Sequence, residues 1–86
     1  MPWQAHIRRL MYPVQFDAKP SDHVGKVLQI VVDKDKNSTP DEYLVSIDEA
    51  LKSSEELAKL LPQDHDEVVI RAFLGDVAKA LRTRKP

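Results

Sequence analysis

Thr39-Pro40-Asp41-Glu42-Tyr43-Leu44-Val45-Ser46-Ile47 is the stretch on which the fold turns. Thr39 can accept a backbone N–H as an N-cap. Pro40 fills the first helical position, where no N–H is needed, and Glu42 at the third position can reach back to the cap. A helix therefore starts at residue 40. From there apolar residues recur at Tyr43/Leu44, Ile47, Ala50/Leu51, Leu57/Ala58 and Leu60/Leu61, three and four apart along one stripe. Ser54 is the only polar residue on that stripe, and Pro62 stops the run. Ser53-Ser54-Glu55-Glu56 repeats the capping pattern, so residues 40–61 are either one bent helix or two helices abutting near 53–54.

Downstream, Asp64-His65-Asp66-Glu67 leads into Val69, Ala72, Phe73, Asp76/Val77, Ala80 and Leu81, which is helical spacing over residues 64–83 with Asp64 as the cap. An acidic first turn and Arg82, Arg84 and Lys85 at the far end complement the helix dipole. Gly75, inside this helix, points to a close contact with a neighbour. Acid-to-base pairs four residues apart stand at Asp48/Lys52, Glu55/Lys59 and Glu67/Arg71.

Upstream, residues 21–33 read two ways. Val24, Val27, Leu28 and Val31 fit a helix with Ser21 as cap; Leu28, Ile30 and Val32 fit a strand. Helix is the preferred reading. Residues 1–20 hold Trp3, Tyr12 and Phe16 around Pro13 and read as an extended arm laid over the helices. The resulting fold class is mostly α, one domain over 1–86: a small bundle of three or four helices behind an N-terminal arm, with α+β (residues 26–33 as a strand) as the alternative.

With 86 residues, 42% hydrophobic and 31% charged, the chain has the composition of one ordinary globular domain with a modest core. Its apolar runs are short, three residues as at 30–32, and its start lacks the charged-then-apolar pattern of a signal peptide. A cytoplasmic chain without a membrane span is expected. The absence of Cys removes disulfides, thiolate nucleophiles and sulfur-based zinc sites, and two glycines leave no phosphate-cradling loop, so no cofactor is expected. His6, His23 and His65 show no pairing at helical spacing and read as surface residues. Ser21, Ser38, Ser46, Ser53 and Ser54 read as caps or exposed positions, with no turn that would activate a nucleophile.

Two motifs carry partial resemblances. Asp33-Lys34-Asp35-Lys36-Asn37 resembles the start of an EF-hand calcium loop, but Ser38 stands where the turn glycine belongs and Leu44 where the bidentate Glu belongs. A solvated connecting loop explains it better. Ser54-Glu55-Glu56-Leu57-Ala58-Lys59-Leu60-Leu61 followed by a second helix resembles the first helix and turn of a helix-turn-helix DNA reader. There, however, Pro62 replaces the turn glycine, and the leading edge of the second helix is acidic.

Charge is uneven: residues 1–32 carry net +2, residues 33–67 net −7 and residues 68–86 net +4. Helix-end placement accounts for much of this pattern. The remainder is an acidic face suited to a basic partner, or a charge-separated surface that can pair with a second copy. Elimination leaves a non-catalytic protein-interaction module, of the small inhibitor or immunity type, with a DNA-binding regulator as the alternative. The expected contact residues are Trp3, Tyr12, Phe16, Asp48, Glu49, Glu55 and Glu56.

Overall fold

A computed structural model describes residues 3–15, 19–60 and 65–84. The start at residue 40 is as the capping residues require. Thr39 Oγ1 accepts the Glu42 N–H at 3.1 Å, Glu42 Oε1 accepts the Thr39 N–H at 3.1 Å, and helix α3 runs Pro40–Lys52. Around it lie α1 (Trp3–Met11), α2 (Val24–Val27) and α4 (Glu67–Arg84). Short 3-10 turns occupy Tyr12–Val14, Pro20–His23 and Leu57–Lys59. No strand occurs among the described residues, so the small helical bundle stands and the α+β alternative falls.

The expected extended arm is in fact helical over Trp3–Met11. Trp3, His6, Ile7, Leu10 and Met11 fall at i, i+3, i+4, i+7 and i+8, one helical face, and Arg8 and Arg9 sit at the C-terminal end where cations complement the dipole. Ile7, Leu10 and Met11 are buried against α3 and its neighbours, which overrides the reading drawn from the aromatics and Pro13. Pro13 lies in the 3-10 turn that ends the helix.

Ser21 is not a cap. It lies exposed inside the turn Pro20–His23, and α2 starts at Val24 without a side-chain cap. Beyond Val27 the helix widens into a π-type stretch, Leu28–Val32, closed by the Asp33 N–H donating to the Leu28 carbonyl at 2.9 Å. This widening buries Val27, Leu28 and Val32 together and turns Ile30 outward, 39% exposed. Stretches of this kind are uncommon and concentrate at functional sites.

The 40–61 segment breaks where the serines stand. Ser53 adopts an extended conformation (ψ 150°) and its Oγ accepts the Glu55 N–H at 2.9 Å, which ends α3. Among the described residues 53–60 a single 3-10 turn forms, Leu57–Lys59, in place of the leading helix of a helix-turn-helix reader. Helix α4 is capped by Asp66, whose Oδ1 accepts the Val69 N–H at 3.0 Å; Asp64, the expected cap, lies outside the described residues. The buried face of α4 is Ile70, Phe73, Leu74, Val77, Ala78 and Leu81. Val69, Ala72 and Asp76, expected on that face, are exposed. A Cβ on Gly75 would meet nothing within 4 Å, so the expected close contact is absent.

Arg71 and Glu67 hold the break together. Two of the Arg71 guanidinium nitrogens reach the carbonyls of Leu51, Ser53 and Glu55 at 3.0–3.2 Å, supplying donors to the end of α3, and its Nε reaches Glu67 at 2.9 Å. The Glu67 carboxylate in turn accepts the Leu57 and Ala58 N–H groups, each at 3.0 Å. A pair expected to do no more than decorate one helix therefore stitches α4 to the end of α3.

Candidate interaction surface

The joint between α1 and α3 is polar at its centre. His6, 2% exposed, lies between two serine hydroxyls: Ser46 Oγ sits at Nδ1 and Ser38 Oγ is 2.9 Å from Nε2. Its ring packs against that of Tyr43 at 4.3 Å. The Tyr43 hydroxyl donates to Asp35 Oδ2 at 2.6 Å, and Arg9 donates to the same oxygen at 3.0 Å. Asp35 Oδ1 accepts the backbone N–H groups of Asn37 and Ser38 at 2.8 and 3.2 Å. The hydrogen bond from Tyr43, with those backbone groups and the Arg9 charge, holds the Asp35 carboxyl below its ordinary 3.8. Burial, reinforced by Asp35, pushes the Tyr43 phenol up to about 12.

His6, Ser38 and Ser46 thus depart from the expectation that histidines and serines here are surface groups. His65 departs as well, since its Nε2 lies 2.8 Å from the Val14 carbonyl and ties the start of α4 to the first turn. The available signal was a polar residue at helical spacing from apolar ones, which the stripe drawn through Tyr43, Ile47 and Ala50 passed over at Ser46. His6 stands on the α1 face, and Ser46 stands between Tyr43 and Ala50 on α3, whereas Ser54 points to solvent. The trio is built as a lock. Both ring nitrogens are taken by hydroxyls and neither by a carboxylate, and the hydroxyl-bearing residues are buried.

Asp35 also explains the loop that resembles a calcium site. With four internal donors on its two oxygens, it closes the turn 35–38 instead of facing a cation. Among the described residues no group of three His, Cys, Asp or Glu side chains converges as metal ligands.

On the other side of this network a groove of about 490 Å³ opens between the end of α1 and the widened stretch after α2. Tyr12, Pro13, Ile30 and Val31 give it apolar walls, and Arg9 and Lys34 stand in the same lining. Tyr12 is 65% exposed, so a large aromatic ring faces water inside a concavity. The network sets the shape of the groove, because Arg9, Asp35, Asn37 and Tyr43 belong to both.

The other expected contact residues scatter. Trp3 packs partly buried on the core, and Phe16 lies outside the described residues. Asp48 pairs with Arg82 at 2.9 Å and Glu56 with Lys59 at 3.3 Å, while Glu55 accepts from the Gln4 amide at 3.3 Å. These partners differ from the expected pairs Asp48/Lys52 and Glu55/Lys59. Glu49 remains on the outer side of α3 with Asp41 and Glu42, near Val45, which is 60% exposed.

No family model matches the chain, and neither a curated protein nor a solved structure matches it. Function therefore rests on the geometry. No helix among the described residues is long and apolar enough to cross a membrane.

Proposed function

We propose that this chain is a non-catalytic protein-interaction module whose recognition surface is the groove between α1 and the stretch Leu28–Val32. The observation that carries the reading is Tyr12, 65% exposed beside Ile30 in a concave, apolar-walled groove. Aromatic side chains in such positions are what anchor protein partners, because they bring a large apolar area at low entropic cost. The π-type geometry that turns Ile30 outward supports the same reading. A small inhibitor or adaptor acting in the cytoplasm is the form of the proposal that suits the size of the chain.

A second reading places a basic partner on the outer face of α3, where Val45 stands exposed among Asp41, Glu42 and Glu49. It is the weaker of the two, since Asp48, Glu55 and Glu56 already have partners within the chain.

Quantitative copurification from the native cell extract separates the readings. A protein that copurifies with the unaltered chain should be lost with Tyr12→Asp and retained with Val45→Asp. Loss with Val45→Asp alone would favour the basic partner. Salt-dependent binding of duplex DNA, with no protein retained, would replace both with the DNA-binding alternative.

A further inference from the structure

We infer that the groove takes an acidic segment of a partner protein, one that presents a large apolar side chain next to a carboxylate. This inference rests on the interaction-module reading and adds the chemistry of the occupant.

Three charged side chains line the groove, Arg9, Lys34 and Asp35, and they differ in what they still offer an incoming group. Asp35 is unavailable as an acceptor. Its side chain is 9% exposed, and its two oxygens already take hydrogen bonds from Tyr43, Arg9, Asn37 and Ser38. Tyr43 is buried, and its hydroxyl proton is committed to Asp35. Arg9 uses one terminal nitrogen on Asp35 and also interacts with the Tyr43 hydroxyl, yet its side chain is 43% exposed, so its five N–H donors are not all taken up within the chain. Lys34 is exposed and has no ion-pair partner among the described residues. An incoming group therefore meets cationic donors with the local anion already neutralised. A carboxylate is matched there, and a second cation would be repelled by Arg9 and Lys34.

The apolar half of the occupant is dictated by the walls. Tyr12, Pro13, Ile30 and Val31 leave apolar surface in water that only an apolar side chain covers without stranding a polar group. The groove is open along one side, so it suits a length of chain laid across it. This sign of charge is opposite to the one expected for a partner from the acidic middle of the sequence, because that segment lends the groove only Lys34, Asn37, Tyr43 and an Asp35 already paired within the chain.

A displayed library of random dodecapeptides, selected against the immobilised full chain at about 0.05 M salt, tests the inference. Binders should be enriched in Asp and Glu next to Trp, Phe or Leu. A synthetic binder should shift the amide resonances of Tyr12, Ile30 and Lys34. Lys34→Glu, an exposed change that leaves the fold intact, should weaken that peptide about tenfold, and the effect should shrink above about 0.3 M salt. Ile30→Ala should weaken it by a similar factor.

Basic binders, or shifts centred on Val45 instead of Ile30, would overturn the acidic occupant while leaving an interaction module in place. Binding indifferent to Lys34→Glu would overturn it in the same way. Failure to select any peptide, together with duplex DNA binding, would remove the module reading as well.

Discussion

His6 shows what a single buried side chain commits the molecule to. Burial, helped by the Arg9 charge, holds its imidazole below the ordinary 6.5, against a smaller upward pull from Asp35 and Glu42. Below pH 6.5 the folded chain therefore binds fewer protons than the unfolded chain. The His6 contribution to stability should be whole above pH 6.5 and lost progressively as the pH falls from there through the depressed folded value. Asp35 and Glu67 act in a lower window. In Glu67, burial pushes upward but is outweighed by the N–H groups of Ala58 and Leu57 and by Arg71, so the carboxyl lies below its ordinary 4.5. Their stabilisation is present above their unfolded values and lost as pH drops through the folded ones. Urea unfolding at pH 7.5, 6.5 and 5.5 should show falling stability for the native chain and a flatter profile for His6→Asn. A native profile that is flat or rises toward pH 5.5 would contradict the buried neutral ring. At the same scale, Gly75→Ala should stabilise by about 0.5–1 kcal/mol in thermal melts, since the site is mid-helix and a methyl group meets nothing.

Among the elements, the join between α3 and α4 is the most exposed to a single change. Arg71 serves the Leu51 carbonyl at the end of α3 and the Ser53 and Glu55 carbonyls just beyond it, and a shorter or uncharged side chain leaves them bare. Arg71→Met should cost about 1.5–3 kcal/mol in urea unfolding, and Arg71→Lys should recover less than half of it. The helical core makes a separate forecast. Leu57→Ala and Phe73→Ala, both fully buried, should cost about 2–5 kcal/mol, while the exposed Lys79→Ala stays within about 0.5 kcal/mol.

Legibility followed local chemistry at this scale. The Thr39 capping box was readable because it is set by neighbours in the chain. The repeated pattern at Ser53, by contrast, left one bent helix and two helices open, and the extended Ser53 with a 3-10 turn after it is held by Arg71 and Glu67 from α4. The Trp3–Met11 helix was hidden: its face includes a histidine, and only contact with Ser38 and Ser46 makes that residue a core position. The face of α4 was misassigned because Val69, Ala72 and Asp76 fit the same periodicity as Ile70, Leu74 and Ala78, and packing alone chose between them. As for the groove, Tyr12 was visible as a candidate, but its partner wall at Ile30 depends on a π-type stretch that no spacing rule announces.

Across the whole molecule, the folded chain brings its charged segments together. The acidic middle of net −7 meets its basic flanks through Arg9 with Asp35, Arg71 with Glu67 and Arg82 with Asp48. Exposed pairs of the last kind contribute about 0–1 kcal/mol, so the pairing lowers the field of the acidic segment more than it stabilises the fold. Two of the surfaces that remain among the described residues differ in charge: an acid-edged face at Val45 and a cation-edged groove at Tyr12. The proposed role as an interaction module stands or falls with a protein partner seated on the second. Site-specific photocrosslinking from position 12, carried out in intact cells, tests this most directly. A single protein adduct is expected from position 12, abolished by Ile30→Asp and absent when the same probe replaces Lys79. Adducts that form equally from position 79, or none to protein from position 12, would contradict it.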